Sequence, residues 1–426
     1  MRPSRITGSL ISLPSTIYHL LSTITMRHVI VGGGIAGTSA VEELRKLDPT
    51  SEIVLVSEEQ HAVYSRVLLP HYIKGKIPRE RVFLKKESWY DEQKIEWLHG
   101  VRVEKIDTVN QFVALSDGRE MPYDTLLLCT GGDTNTVPAD LRGVSYFRTL
   151  DDADHIVQLL RELPKDAKAC VFGGSFIGCE FINIFAQAGL PTTVAHRGPY
   201  FWPRIFDTET GALIHNQLRK HSVEILSEAE FVELEGEKAV AACITSRGRI
   251  PCQVLGVGVG ITRDLSLAKE AGIEVRAGIL ANEYLETNVK DVFTAGDIAE
   301  FQDVVVNRRV HIGNWMSATM QGRTVARNMA GQRTLFRLTS SYATNILGLE
   351  IIFVGDTHRD SCDEIIVRGS AAEGGVTQLF IRAGKLVGAT MVGRNADRQP
   401  ITNLIASQTD VRSHAGAWKD PAVSIV

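Results

Sequence analysis

Two short glycine turns in the sequence have the residue types that bind a phosphate group through the backbone. The first is Gly32-x-Gly34-x-x-Gly37. In such a motif the first glycine allows a tight turn, the second lets backbone amides approach a pyrophosphate, and the third lets a helix pack closely on a strand. Because this turn opens a helix, the positive end of the helix dipole favours the phosphate charge. The motif therefore predicts a dinucleotide-binding site.

The sequence around this turn has the order expected of a βαβ unit. Residues 28–31 are an apolar run, apolar residues at helical spacing follow the turn, and residues 53–56 are a second apolar run. Glu58 comes 21 residues after Gly37, where a carboxylate could accept hydrogen bonds from a ribose diol. Glu59 is the alternative, because the pattern does not fix where the strand ends. A structural glycine-rich turn without a ligand is the simpler interpretation of the same residues.

The chain repeats the pattern 141 residues later, with Gly-Gly-Ser-Phe-Ile-Gly at 173–178 between an apolar run and a helix. Ser175 stands at the middle glycine and is small enough to admit a phosphate. His196 and Arg197 occupy the place where an acidic residue would bind the ribose of NADH. A cationic pair there could bind the 2′-phosphate of NADPH, although a solvated surface role for Arg197 is the alternative. Two dinucleotide sites in one chain predict hydride transfer between a resident and an exchanging cofactor.

Composition excludes several other classes of protein. The 426 residues are 44% hydrophobic and 23% charged, which is ordinary for a globular chain. With 46 basic and 50 acidic residues the net charge is -4, so no overall positive field exists to bind nucleic acid or an anionic membrane. No apolar run is long enough to span a membrane. The six cysteines form no C-x-x-C pair or metal-ligand spacing, which favours buried thiols, no metal site and a cytoplasmic location.

The first 25 residues have a different composition from the rest of the chain. They contain Arg2, Arg5 and many Ser and Thr residues, and the first acidic residue of the chain is Glu42. Such a composition is typical of a targeting segment. Met26 directly precedes the first predicted strand, so a start codon assigned too early is the explanation we favour.

Taken together, the motifs resemble the FAD-dependent pyridine nucleotide oxidoreductases, the flavoproteins with two dinucleotide-binding domains. The resemblance covers essentially all of residues 26–426. The matching segments are HVIVGGGIAG at 28–37, LLLCTGG at 126–132, CVFGGSFIGCE at 170–180, GVGVG at 256–260, TNVKDVFTAGDIAE at 287–300 and NWMSATMQGRTVARNM at 314–329. Their order and spacing make the resemblance specific.

The resemblance implies an α/β fold with two Rossmann-like (βαβ) dinucleotide-binding domains, the second inserted in the first, and a C-terminal α+β interface domain. The expected bounds are an N-terminal extension at 1–25, the FAD-binding domain at 26–148 and 269–334, the NAD(P)-binding domain at 149–268, and the interface domain at 335–426. The pattern of residues 101–124 separately predicts a small antiparallel meander. Short apolar runs after about residue 335 predict strands of a separate α+β unit.

The resemblance also implies roles for individual residues. FAD would be bound by Gly32, Gly34, Ala36, Gly37, Glu58 or Glu59, Arg66, Val103, Thr130, Gly131, Gly296 and Asp297. NAD(P)H would be bound by Gly173, Gly174, Ser175, Phe176, Ile177, Gly258 and, on the residue pattern above, His196 and Arg197. Glu180 would lie near the nicotinamide, and Trp315 and Tyr342 are candidates to pack near the flavin.

One segment resembles the rubredoxin, ferredoxin and nitrite reductase flavoproteins of this family more narrowly. Residues 64–71 read Tyr-Ser-Arg-Val-Leu-Leu-Pro-His and match a Y-x-R-x-x-L element. Arg66 would then pair with an FAD phosphate. His71 stands where oxygenase-type ferredoxin reductases carry a lysine near the flavin, so we expect a catalytic role there, with a surface histidine as the alternative.

The absence of cysteines beside the first helix limits which electron acceptors are possible. Disulfide reductases of this family need redox-active cysteines beside the first helix, and residues 32–80 contain none. Electrons would therefore leave the flavin directly for a rubredoxin or ferredoxin, a quinone or oxygen. An NAD(P)H oxidase or quinone reductase is one alternative function, and a redox-sensing flavin-binding protein of the apoptosis-inducing-factor type is another. The interface domain of the family commonly supports homodimers.

Overall fold

The computed structural model of the protein describes residues 25–138 and 140–425. The expectation of a start at Met26 concerns a segment, residues 1–24, that lies outside the described residues. In the first part of the chain the elements are β1 (Arg27–Val31), α1 (Ile35–Leu47), β2 (Glu52–Ser57), α2 (Leu69–Ile73), α3 (Ser88–Glu92), β3 (Ile95–His99), β4 (Val103–Asp107), β5 (Phe112–Leu115), β6 (Glu120–Pro122), β7 (Thr125–Leu128), β8 (Asp133–Thr134) and β9 (Val144–Ser145).

The second part contains the other glycine turn. Its elements are α4 (Leu150–Glu162), β10 (Ala169–Phe172), α5 (Phe176–Gln187), β11 (Thr192–His196), α6 (Thr208–Lys220), β12 (Glu224–Ser227), β13 (Phe231–Glu235), β14 (Ala242–Thr245), β15 (Gly248–Pro251), β16 (Val254–Val257), β17 (Ile261–Thr262) and α7 (Ser266–Glu270). Both predicted strand–turn–helix–strand units are therefore confirmed.

The last part returns to the first sheet and then forms a new one. Its elements are β18 (Ile279–Ala281), β19 (Val292–Thr294), β20 (Ala299–Asp303), β21 (Arg308–Val310), α8 (Trp315–Met329), β22 (Ser341–Ile346), β23 (Leu349–Gly355), β24 (Glu364–Ser370), β25 (Gly375–Arg382), β26 (Lys385–Val392), α9 (Arg398–Ser407) and α10 (Arg412–Ala415).

The sheet order shows how the two nucleotide-binding units are nested. One five-stranded parallel sheet has the order β19-β7-β1-β2-β3, and a second has the order β12-β11-β10-β16-β9. Because β19 joins the first sheet only after the chain has built the second, the second unit is inserted in the first. The predicted fold class is confirmed, and the exact domain bounds stay a prediction.

The core strands of the first sheet contain continuous apolar runs because helices or other elements cover both faces. Residues 29–31 of β1 and 126–128 of β7 are all buried. The predicted meander forms the sheet β4-β5-β6, and the C-terminal strands form the antiparallel sheet β22-β23-β26-β25-β24. None of the helices in the described residues is long and apolar enough to cross a lipid bilayer.

Helices α1 and α8 pack against each other on one face of the first sheet. The contact is made at the backbone, because a Cβ placed on Gly322 of α8 would lie 2.1 Å from the carbonyl oxygen of Ala36 in α1. Two hydrogen bonds also connect α8 to the residues that follow β19. The backbone N–H of Gly296 donates to Gln321 Oε1 at 2.7 Å, and Gln321 Nε2 donates to Ser317 Oγ at 2.9 Å, all in the buried interior.

Candidate functional site

One large cavity, with a volume of about 810 Å³, lies between the ends of β1 and β2 and the starts of α5 and α8. Of the residues expected to bind FAD, it is lined by Gly32, Gly34, Ala36, Glu58, Glu59, Arg66, Val103, Thr130, Gly131, Gly296, Asp297 and Trp315. Of those expected near NAD(P)H, it is lined by Phe176, Ile177 and Glu180. The walls of this cavity do not include Gly37, His71, Gly173, Gly174, Ser175, His196, Arg197 or Gly258. The first glycine turn therefore lines the cavity, and the second is represented in its wall only by α5, the helix that it opens.

The first glycine turn has the geometry of a phosphate cradle. Gly32 has φ +121°, a conformation that L side chains rarely adopt. A Cβ on Gly34 would meet no atom within 4 Å, whereas a Cβ on Gly37 would lie 2.0 Å from the carbonyl oxygen of Gly32. Helix α1 begins at Ile35 and no side chain caps its N-terminus. Open space and uncapped backbone amides fit the pyrophosphate of a dinucleotide.

The two candidate carboxylates after β2 have different partners. Glu59 accepts hydrogen bonds from the Tyr64 hydroxyl and from Arg66 Nη2, each at 2.5 Å. Glu58 forms an ion pair with Arg102, and its side chain is 65% exposed. Glu59 has two partners and Glu58 has one, so the exposed Glu58 has the greater remaining capacity to accept hydrogen bonds from a ribose.

Arginine side chains surround the middle of the cavity. Arg66 donates from Nη1 to the carbonyl oxygen of Arg148 at 2.7 Å, and Arg148 Nη2 lies 3.5 Å from Asp297 Oδ2. A Cβ on Gly131, which has φ +78°, would lie 3.0 Å from Arg148 Nη2. Sequence reasoning missed Arg148, since a basic residue ahead of a capped helix carries no motif of its own. These two guanidinium groups suit the negative charge of a bound pyrophosphate.

The second glycine turn leaves its helix uncapped in the same way. Ser175 precedes the first residue of α5, but its hydroxyl donates to the carbonyl oxygen of Gly258 at 3.1 Å and caps no helix amide. A Cβ on Gly258 would lie 2.8 Å from the backbone nitrogen of Gly178, so the two segments touch. The first turn of α5 then projects Phe176 and Glu180 into the main cavity.

Glu180 is paired with a lysine that the sequence interpretation did not single out. Lys74 Nζ lies 3.7 Å from Glu180 Oε2, and the two side chains are only 11% and 25% exposed. Burial raises the pKa of Glu180, and Lys74 opposes that rise by stabilising the carboxylate.

His71 is exposed and does not line the cavity, so the structure does not support a catalytic role for it. Lys74 follows His71 by three residues, one turn along the chain at α2.

The structure corrects the prediction of a cationic pair, His196 and Arg197, at the end of β11. His196 is 3% exposed and packs against Phe201 and His215 at ring distances of 5.1 and 5.4 Å. Burial, together with the neighbouring His215, lowers the pKa of His196 to about 4. The ring is therefore neutral at pH 7 and supplies no charge for a 2′-phosphate. Arg197 is exposed, so it is the one cation left of the pair.

The two aromatic residues considered for the flavin, Trp315 and Tyr342, lie in different surroundings. Trp315 lines the main cavity, whereas Tyr342 does not. Tyr342 stacks on Phe353 at a ring distance of 5.2 Å and packs on Phe176 at 5.4 Å. The ring of Tyr342 thus joins the C-terminal sheet to the first turn of α5, and its place near the flavin stays a prediction.

The cysteines offer no redox-active thiol at the cavity. All six are free, and five of them are buried. Cys129 lines the cavity, but its thiol donates to the carbonyl oxygen of Val31 at 3.3 Å, and burial raises its pKa. Burial also raises the pKa of Cys179, near the start of α5, which favours its protonated thiol.

Comparison with known proteins places these features in a family. The model for pyridine nucleotide-disulphide oxidoreductases matches residues 26–322. The nitrite reductase (NAD(P)H) of Bacillus subtilis is 28% identical over 390 residues, which are 90% of this chain and 47% of that relative, so the chain spans about half its length. Putidaredoxin reductase of Pseudomonas putida is 28% identical over 399 residues, 88% of this chain and 92% of that protein. A crystal structure of the covalent putidaredoxin reductase–putidaredoxin complex matches with a TM-score of 0.85 at 26% identity, covering 90% and 94%.

The different roles of two glycines in the first turn can be tested by substitution. Gly34→Ala places a methyl group in open cavity space, so we expect a folded protein whose affinity for FAD falls at least about tenfold through the lost close approach. Gly37→Ala forces a contact between α1 and the turn, so we expect a loss of several °C or more in Tm. Thermal unfolding and flavin content of the purified variants measure both effects. Equal loss of Tm in the two variants would contradict this division of roles.

Proposed function

The chain belongs to the pyridine nucleotide-disulphide oxidoreductase family, and on this premise we propose that it transfers electrons from NAD(P)H through FAD to a small rubredoxin-type or ferredoxin-type protein. The resemblance read from the sequence motifs is confirmed, and the family's cofactors are FAD and NAD(P)H. When bound, the flavin supplies the chemistry, because it accepts two electrons as a hydride and releases them singly. The single observation that carries the proposal is that the first glycine turn and α5, the helix opened by the second, meet at one cavity.

We propose that the residues at one end of the cavity hold the resident dinucleotide. The uncapped amides of α1 and the guanidinium groups of Arg66 and Arg148 hold the pyrophosphate. Glu58 holds the ribose beside Val103, and Asp297 binds the polar chain that leads toward the start of α8. These groups are fixed by their own partners before a ligand arrives, so little ordering is needed on binding.

The other end of the cavity receives the nicotinamide. The start of α5 carries Phe176 and Ile177 in the cavity wall, and Glu180 follows one turn later. The ion pair with Lys74 opposes the effect of burial and favours the ionised form of Glu180, so the carboxylate is placed to orient the carboxamide of the nicotinamide. With His196 neutral, Arg197 alone supports a preference for NADPH.

The acceptor is inferred from the relatives and from the thiols. Putidaredoxin reductase, which covers nearly the same length as this chain, is captured in complex with its small partner putidaredoxin. The one thiol at the cavity is buried and has a raised pKa, so no disulfide relay stands between the cavity and the acceptor. Direct transfer to a small electron carrier fits both observations.

Acceptor preference is the test of this proposal. Anaerobically reduced, FAD-loaded protein is mixed in separate experiments with a rubredoxin, a [2Fe-2S] ferredoxin, a soluble quinone and air, and reoxidation of the flavin is followed. We expect at least one carrier protein to reoxidise it about tenfold faster than air. Reoxidation that is fastest in air would make the protein an oxidase, and reoxidation that is fastest with the quinone would make it a quinone reductase.

The Lys74–Glu180 pair predicts a specific pH dependence. Lys74 lowers the pKa of Glu180, so Lys74→Met should raise that pKa further and leave more of the carboxyl protonated at neutral pH. The inflection in the pH profile for flavin reduction by NAD(P)H should then move upward by about one pH unit. Lys76→Met, which alters an exposed neighbour, is the control and should leave the profile unchanged. An identical profile in wild type and Lys74→Met would show that the pair does not govern the reaction.

A further inference from the structure

The loop between β11 and α6 contains an aromatic residue with a strained backbone, Trp202. Its φ is +49°, in the left-handed region that bulky residues rarely adopt. Among the described residues, eleven other than glycine have a positive φ, and Trp202 is the only aromatic one of them. Such strain persists only where the surrounding structure holds it, and it is concentrated at functional sites. The packing around Trp202 must therefore be firm enough to hold this conformation.

The indole of Trp202 packs among other aromatic rings. Its ring centroid lies 5.0 Å from that of Phe176, 5.5 Å from that of Phe353 and 5.8 Å from that of Phe206. The carbonyl oxygen of Trp202 accepts the backbone N–H groups of Ile205 and Phe206, at 2.9 and 3.0 Å. The loop is therefore closed by its own hydrogen bonds, and its indole contacts both α5 and the C-terminal sheet.

Phe176 is the residue through which this packing reaches the main cavity. Phe176 is the first residue of α5, and its side chain is part of the cavity wall. Besides the indole of Trp202, the rings of Tyr342 and Phe353 lie 5.4 and 5.2 Å from the ring of Phe176. None of these three supporting rings lines the cavity. They therefore support Phe176 from behind the cavity wall.

The end of the loop that carries Trp202 is fixed to the C-terminal sheet. Asp207 Oδ1 accepts the backbone N–H of Thr210 at 2.8 Å and so caps α6. Asp207 Oδ2 accepts a hydrogen bond from Gln378 Nε2 at 2.7 Å, and Gln378, in β25, is fully buried. The position of the indole therefore depends on the contact between the second nucleotide-binding unit and the C-terminal sheet.

We infer that Trp202 is a positioning residue for hydride transfer, because it holds Phe176 as the fixed wall against which the nicotinamide ring rests. This inference rests on the proposed function, in which the start of α5 receives the nicotinamide. Hydride transfer requires the reacting atoms to lie about 3–3.5 Å apart, and a small misplacement of the bound ring slows it strongly. Removal of the indole leaves space behind Phe176 into which its ring can move. Since the rest of the coenzyme still binds, the rate should change more than the affinity.

Anaerobic stopped-flow reduction of the full-length, FAD-loaded protein over a range of NADPH or NADH concentrations tests this role. We expect Trp202→Leu to lower the limiting rate of flavin reduction about tenfold and to change the dissociation constant of the coenzyme less than about threefold. Trp202→Phe keeps an aromatic ring behind Phe176 and should retain most of the rate. Trp89→Leu is the matched control. Trp89 is half-buried like Trp202 and packs on Tyr90 at 5.1 Å, but it does not line the cavity, so this variant should react as the wild type does.

A double-mutant cycle separates positioning from a general loss of stability. Phe176→Leu should itself lower the limiting rate, and Trp202→Leu should lower it no further in that background, because Trp202 acts through Phe176. If Trp202→Leu does not fold, Trp202→Gly takes its place, since glycine adopts a positive φ without strain.

Three outcomes would overturn the inference while leaving the proposed function intact. They are a wild-type rate in Trp202→Leu, an equal loss of rate in Trp89→Leu, and effects of Trp202→Leu and Phe176→Leu that multiply in the double variant. A wild-type protein whose bound flavin is reduced by neither coenzyme would instead overturn the proposed function, and this inference with it.

Discussion

Close contact between backbone segments at the glycine turns is the constraint on which the main cavity depends. The carbonyl oxygen of Gly32 occupies the space that a side chain at position 37 would need, and Gly322 brings α8 against the backbone of α1. With these contacts made, the start of α1 faces the cavity with free amides and α8 begins at its wall. The second glycine turn repeats the arrangement with α5. Any larger residue at these contacts would push a helix away from the ligand it is meant to hold.

Ion pairs at the main cavity then determine its electrostatics and leave its space free for a ligand. Glu59 forms an ion pair with Arg66, and Asp297 forms one with Arg148. Glu180 of α5 pairs with Lys74 at the end of α2. Removing two charges from water is costly, and such pairs are retained where their geometry serves a further purpose. Here they fix donors and acceptors in place before a ligand binds. Such preorganised groups act without reorganisation during the reaction, which is how a protein helps a cofactor whose own chemistry is already competent.

Local patterns in the sequence were enough to predict the frame of the molecule. Both glycine turns and the C-terminal strands follow from apolar runs and turn residues that are adjacent in sequence, whereas the nesting of the two sheets was implied by the resemblance to the family. The side chains that meet only through tertiary packing were beyond such reasoning. Lys74 lies at the end of α2, far from Glu180 in the sequence, and contacts it only in the folded chain. Arg148 likewise reaches the cavity from the loop before α4. His196 has the right position at its strand end, but burial against aromatic rings removes the charge that the prediction relied on.

We propose that the first glycine turn and helix α5 hold two dinucleotides at one cavity, close enough for direct hydride transfer. Anaerobic stopped-flow reduction of the FAD-loaded protein, with NADPH or NADH carrying deuterium at C4 of the nicotinamide, tests it most directly. We expect complete loss of the oxidised flavin absorbance at saturating nicotinamide coenzyme, and a slower rate with the deuterated coenzyme than with the unlabelled one. Retention of the oxidised spectrum with both coenzymes, although FAD is bound, would contradict it.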